Sequence, residues 1–368
     1  MTKRERVINA FRHIRTDYIP YEVGFTANEF DAYAAYTGDA DFYSKIGNHA
    51  SGSGYSGFTP GVSGAVEGKP DHIRDDFGVV WNRSVDKDIG VIEGYVLKEP
   101  DLSTLQLPQL DEAIIRRGFE KITGKAGAAG NGAADSGAAG NGAAGNGEMV
   151  TKDETFKHGS VGFSMFERAW TLRGMENILT DMLTDPGFVH GLLDAICEYN
   201  MKIVEIGLKY NIDGFYFGDD WGQQKGLIMG PAHWRTFIKP RMAKMYGAVK
   251  SKGKFVIQHS CGDISDIFGD LIDIGLDCYQ TFQPEIYDIR AVKNEYGKDL
   301  SFWGGISTQR LLPFATPGEV KAKTIEIMRI MGDGGGYVAA PTHAIPGDVP
   351  PENVEAMLDV FQNQDKYL

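Results

Sequence analysis

The sequence predicts an α/β fold of the (β/α)₈ (TIM) barrel kind with decorations towards its N-terminus, and three observations carry that expectation. From residue 159 onward, short apolar runs alternate with long helical stretches. Short buried-type strands separated by helices mean a parallel sheet. The chemically reactive side chains also gather just after those runs, where a barrel builds its active site. A chain of 368 residues can hold one such barrel with additions, since the fold takes about 250 residues or more as a unit.

In chain order, Lys3 to Ile14 places Val7, Ile8 and Phe11 on one helical face and is expected to cap the barrel floor. IPYEVGF (19–25) opens at a proline and ends in glycine and polar residues, as a first strand would. Phe30 to Ile46 is an aromatic helix candidate. The Gly/Ser-rich stretch after it, up to His72, reads as a loop, and no second strand is assigned there. FGVVWNRS and GVIEGYVLKE alternate in polarity around the polar Val85 to Asp88, which predicts a β-hairpin on the scaffold. A helix from about Leu110 to Thr123 then runs into the segment 124–147.

That segment repeats GAAGNG from Gly127, Gly137 and Gly142 and holds nothing able to bury a core. It is read as a flexible surface insertion in a single domain spanning residues 1–368, with a linker between two domains as the competing view. Chain statistics give it a reach of roughly 25 to 30 Å. Its deletion is expected to leave the melting temperature almost unchanged, because ordering such residues costs about 1 to 2 kcal/mol each with no side chain to offset it. A calorimetric fall of more than about 10 °C would show that it packs against the rest.

The later strand candidates are GSVGFSM (159–165), GFYFGD (214–219), KFVIQHS (254–260), DCYQTF (277–282), LSFWGG (300–305) and GYVAAP (336–341). With IPYEVGF they make seven of the eight strands a barrel needs. Helices Pro186 to Tyr210, Pro231 to Ser251 and Pro317 to Met331 lie between them, the first and last opening on a proline after a polar residue.

Glu167, Asp219, Asp220, His259, Cys261, Gln280, Gln283, Trp303 and His343 all fall at or just beyond strand ends. His259 and Cys261 form a His-x-Cys pair, and imidazole with thiolate is a zinc-type donor set. Two residues so close reach one ion only where the chain turns. The plain alternative is a hydrogen-bonded histidine beside a buried cysteine. His343, at the end of another strand, supplies a third ligand and leaves a fourth position open, as catalytic zinc requires.

Asp219 and Glu167 are candidate proton carriers, against a turn cap and a salt bridge to Arg168 or Arg173 respectively. Asp220, Gln280, Gln283 and Trp303 are candidate substrate contacts, against a solvated aspartate and a core tryptophan. Cys197 and Cys278 read as ordinary buried residues, and His233 as surface or packing.

The net charge of −13 argues against a general nucleic-acid or anionic-membrane surface, since both need a positive field. No run approaches the roughly 20 apolar residues of a membrane span. MTKRERVINAFRHIRTDYIP is charged throughout and lacks the apolar core of a secretory signal. Three cysteines are too few for a disulfide framework and suit a reducing cytoplasm.

HSCGDISDIFGDLIDIGLDCYQTFQPE, the following WGGIST and GGYVAAPTHAIPGDVPPENV resemble the C-terminal half of the uroporphyrinogen decarboxylase-like superfamily. The nearest likeness is to its zinc- and corrinoid-dependent methyltransferases. The resemblance runs from about Gly159 to the end and implies a (β/α)₈ barrel. It also implies zinc (Zn2+) held by the His-x-Cys pair and a later cysteine. His259 and Cys261 match the pair, whereas His343 stands at the third position.

Two imidazoles and one thiolate leave zinc near +1 instead of neutral, a stronger Lewis acid that favours an O-methyl donor. The resemblance further implies a small methylated substrate and a cobalamin (corrinoid) cofactor on a separate partner protein, since no corrinoid module occurs in this chain. A homodimer is left open. The enzyme alternative, uroporphyrinogen decarboxylase, acts on a polycarboxylate and brings arginines after the first strand. Here VGFTANEF stands in that place, with no arginine between Arg15 and Arg74. A barrel that binds without catalysing is the third reading.

Overall fold

The structure is a computed structural model that describes residues 1–59, 62–84, 90–124 and 155–368. Almost all of the expected insertion 124–147, and the hairpin turn at 85–88, lie outside the described residues. Seven parallel strands form one curled sheet: β1 (Ala50–Tyr55), β2 (Phe156–Val161), β3 (Gly214–Gly218), β4 (Phe255–His259), β5 (Cys278–Phe282), β6 (Ser301–Ile306) and β7 (Tyr337–Pro341), hydrogen-bonded in that order. Because all seven run the same way, their C-terminal ends share one rim.

IPYEVGF is not a regular strand. It runs beside β7 through isolated parallel bridges, Tyr21 to Ala339 and Phe25 to Ile345. On its other side the Tyr21 carbonyl accepts from His49 N–H at 3.0 Å, one residue ahead of β1.

β1 corrects the reading of the Gly/Ser-rich stretch as loop. ASGSGY lacks the bulky residues that mark a strand because its neighbour fills the space. A Cβ on Gly52 would stand 2.3 Å from the His158 ring, and one on Gly54 would stand 2.1 Å from the Ser160 carbonyl oxygen. The strand's small residues are thus a packing demand of β2, invisible to strand propensity. The aromatic helix candidate likewise divides into Ala27–Thr37 and Phe42–Ile46, broken at Gly38 in the left-handed region (φ 66°).

The N-terminal helix spans Lys3–Phe11, opened by a capping box between Thr2 and Glu5. It ends three residues before Ile14 because Gly336 N–H, just ahead of β7, bonds to the Ala10 carbonyl at 2.9 Å. Phe11 meets Phe156 and Phe255 edge-on at 5.4 Å each. Both are first residues of their strands, so the helix packs against the N-terminal ends of the sheet. β2 begins three residues earlier than expected and stops at Val161, before Phe163 adopts a positive φ of 51°.

The long helices Pro186–Gly207 and Pro317–Gly332 open as read, with Asp185 accepting from Phe188 N–H and a Thr316/Glu319 capping box. The single helix expected over 231–251 is instead three pieces, Gly230–His233, a π-helical turn Trp234–Ile238, and Lys239–Lys250. Pro240 explains the widening: it has no N–H for the preceding turn and its ring crowds the carbonyl four residues back.

The predicted hairpin is present as Trp81 opposite Ile92 and Asn82 opposite Val91. It belongs to a four-stranded antiparallel sheet with Gly64–Val66 and Lys69–Arg74. A buried ion pair fastens that sheet to the helix that follows β2. Arg168 reaches Asp75 at 3.1 Å with side-chain exposures of 3% and 0%, and Asp75 also accepts from Phe77 N–H, Val79 N–H and the Trp81 indole. Full use of the carboxylate's lone pairs is what allows the pair to be buried. Among the described residues no helix is long and apolar enough to cross a membrane.

Candidate metal centre

β4 ends at His259, and the chain turns at once through Ser260, Cys261 and Gly262. That turn folds the two candidate ligands back on each other, with the Cys261 sulfur 3.6 Å from His259 Nε2. Bonds of about 2.1 and 2.3 Å meeting tetrahedrally put nitrogen and sulfur about 3.6 Å apart. His343, exposed beyond the end of β7, completes a set whose ligand atoms all lie within 4.8 Å of one another. Its ring faces that of His259 at 6.1 Å and 70°. These three residues, on two elements, could hold one transition-metal ion and leave a position open for a substrate.

The surroundings orient the donors. His259 Nδ1 bonds to Gln280 Oε1, which fixes the tautomer and turns Nε2 towards Cys261. Tyr216 donates to the same oxygen at 2.8 Å. A ligand histidine needs such a partner on its second nitrogen. Asp220 Oδ1 accepts from Cys261 N–H at 2.8 Å and stands 3.3 Å from His259 Nε2. Burial is the largest influence on Asp220 and opposes its charge, but His259, the Cys261 N–H and His343 together keep the carboxyl below its ordinary pKa. Burial pushes the Cys261 thiol up while His259 draws it back.

The ligand turn is held from every side. Gln283 Oε1 accepts from Gly262 N–H at 2.9 Å, Tyr287 donates to the Gly262 carbonyl at 2.8 Å, and Tyr279 donates to the Ser260 carbonyl at 2.8 Å. Gly262 has φ of 78°, and a Cβ there would lie 2.2 Å from the Gly222 carbonyl carbon. Gly262→Ala is therefore expected to move Cys261 and lower zinc affinity by about tenfold or more. Competition with a chromophoric chelator measures it, and an unchanged affinity would mean the turn yields without moving the sulfur.

The other candidates are placed differently from one another. Asp219 is fully buried and accepts from Met165, Phe166 and Glu167 N–H at 2.8 to 3.1 Å and from the Trp221 indole. Its lone pairs face the N-terminus of helix Phe166–Arg173 and the Trp221 indole, an anchoring arrangement, while burial pushes its carboxyl up to about 6. Glu167, on the first turn of that helix, stays available. Burial, then the charges of Asp220 and Asp219, hold its carboxyl well above the ordinary range.

Gln280 braces His259, and Gln283 braces the turn that carries Cys261. Trp303 faces the interior of the sheet with its indole N–H lacking a partner. Arg168 and Arg173, weighed as partners of Glu167, pair with Asp75 and Asp181 instead. Sequence reading missed Tyr216 and His158, whose inward direction shows only in the alternation of two strands.

Fold and site together define an α/β protein carrying reactive side chains and a candidate metal centre at the C-terminal rim of a curled parallel sheet. Residues 163–364 match the uroporphyrinogen decarboxylase (URO-D) family, and the chain belongs to that enzyme family. A methyltransferase from Methanosarcina mazei shares the fold, with a TM-score of 0.68 at 17% identity over 99% of each chain. A 7,8-dihydropteroate synthase from Vibrio fischeri overlays at a TM-score of only 0.32 with 12% identity, over 96% of this chain and 95% of its own. No curated protein matches the sequence.

Proposed function

We propose that the protein is a zinc-dependent methyltransferase that moves a methyl group between a small methylated compound, of the O-methyl class, and a corrinoid carried by a separate protein. In this reading the chain is one (β/α)₈-barrel domain, with residues 20–26 in the eighth strand's place. The observation that supports it most is the tetrahedral spacing of Cys261 and His259 with His343 in reach. Zinc held by these residues would supply Lewis acidity towards the oxygen that parts from the methyl group.

The chain's own residues have definable parts. Gln280 and Asp220 hold His259 and the Cys261 turn in place. Glu167, kept protonated by burial and by its aspartate neighbours, delivers a proton to the departing oxygen. Decarboxylation of a polycarboxylate fits less well, because Arg168 and Arg173 are already committed to buried carboxylates.

The test follows the conversion of cobalt(I) to methylcobalt(III) spectroscopically, with methoxyarenes, methanol and methylated thiols as donors. Methylation dependent on both zinc and a reduced corrinoid protein is expected. Full activity of zinc-free protein, or coproporphyrinogen formed from uroporphyrinogen at an enzyme-like rate, would overturn the proposal.

A further inference from the structure

Three helices of this protein begin with Thr-x-x-Glu: Thr2 to Glu5, Thr26 to Glu29 and Thr316 to Glu319. In the first and third the glutamate reaches back to the threonine N–H, at 2.8 Å each, and closes a capping box. The second box stays open although its other half is made, with the Thr26 hydroxyl accepting from Glu29 N–H at 3.4 Å. Thr26 N–H has another acceptor: it donates to the Ile345 carbonyl at 3.0 Å.

Ile345 belongs to the loop that carries His343. Thr342, at the start of that loop, is tied to the sheet through Ile306, and Pro351 opens the next helix. Between them, among the described residues, the backbone bonds to another element are those of Ile345. Its N–H donates to the Gly24 carbonyl at 2.8 Å, and its carbonyl accepts from Thr26 N–H and, at 3.2 Å, from the Thr26 hydroxyl. The loop also lies close on the helix's first turn, since a Cβ on Gly347 would stand 3.4 Å from Asn28 Cβ.

Docking the loop costs Glu29 its usual partner. The side chain is 1% exposed and Oε1 has no hydrogen bond, a place where a carboxylate is unfavourable and a neutral carboxyl is tolerated. The charged groups that face it are Asp348 on the loop and the Tyr33 phenol one turn along its own helix. Glu355, from helix Pro351–Gln362, acts on Tyr33 and accepts from Tyr36. None of these is a cation.

We propose that the His343 loop is a two-state arm. It is docked through Ile345 while Glu29 is protonated, and it is released when Glu29 ionises, turns from Asp348 and closes the capping box on Thr26 N–H. One donor thus serves two competing acceptors, and the proton on Glu29 decides between them. The arm's role rests on the proposed zinc centre, but its test does not.

Burial first and Asp348 second push the docked Glu29 up to about 7 from an ordinary 4.5. Docking is therefore strongest at low pH, weakens as pH rises between those values and changes no further above them. The test follows hydrogen exchange of the Ile345 amide in full-length, zinc-free protein, corrected for intrinsic exchange. Its protection is expected to fall about tenfold or more from pH 5 to pH 8. Glu29→Gln, neutral throughout, should show no such fall, and Glu29→Ala should match it if the glutamine variant does not fold.

Unchanged wild-type protection across that range, or the wild-type fall persisting in the Glu29 variant, overturns the proposal. Adding zinc at pH 8 should restore the protection of wild-type protein, because a bound His343 pins the loop from its other end. A pH-dependent fall that zinc does not reverse leaves the arm standing and removes His343 from the proposed centre.

Discussion

Cys261→Ala should empty the centre, taking zinc from about one ion per chain to less than about 0.1 and lowering turnover by at least about 100-fold. The sulfur is the set's one anionic donor, and two neutral imidazoles on separate elements hold zinc far more weakly than a thiolate-containing triad. Since the metal's contribution grows with charge on the departing oxygen, kcat should fall while KM changes little. His259→Ala should do the same, and in addition frees Gln280 and Asp220 from the partner they now hold. Metal analysis on purified variants decides the matter before any activity is assayed. Wild-type zinc content in Cys261→Ala would remove this centre from the protein.

Asp219→Ala should be the most destabilising single change near the site, by about 3 to 5 kcal/mol in urea unfolding. Three backbone N–H groups and the Trp221 indole lose their acceptor at once, in a place no water reaches. The helix Phe166–Arg173 would lose its N-terminal anchor, and with it the position of Glu167 and the Arg168 link to the antiparallel sheet. Asp219→Asn keeps the shape but turns two N–H donors towards donors and should recover less than half of the loss. A loss below about 1 kcal/mol in Asp219→Ala would show that the carboxylate is not the anchor and would leave it a candidate proton carrier.

Six of the seven sheet strands are legible in the sequence, because a strand buried on both faces must be apolar along its length and GFYFG, FVIQH and SFWGGI satisfy that locally. β1 is not legible. Its glycines are imposed by His158 and Ser160 on a strand 106 residues further along the chain, and no local propensity carries that demand. The π-helical turn before Pro240 belongs between the two: the proline announces a break, while only the packing of Trp234 against Trp221 at 5.3 Å shows how the break is absorbed.

For the site, the sequence by itself determined the chemistry available: one thiolate and two imidazoles placed at strand ends, acidic neighbours, and the family its motifs resemble. Those are properties of residue type and of the order of strands along the chain. What each polar residue does with its lone pairs was decided by the tertiary structure alone. Asp219 and Asp220 are adjacent in sequence and identical in kind, yet one caps a buried helix and the other braces the ligand turn. The reason is directional: successive residues leaving a strand point to opposite sides, so the fold, by what it packs on each side, assigns them different partners.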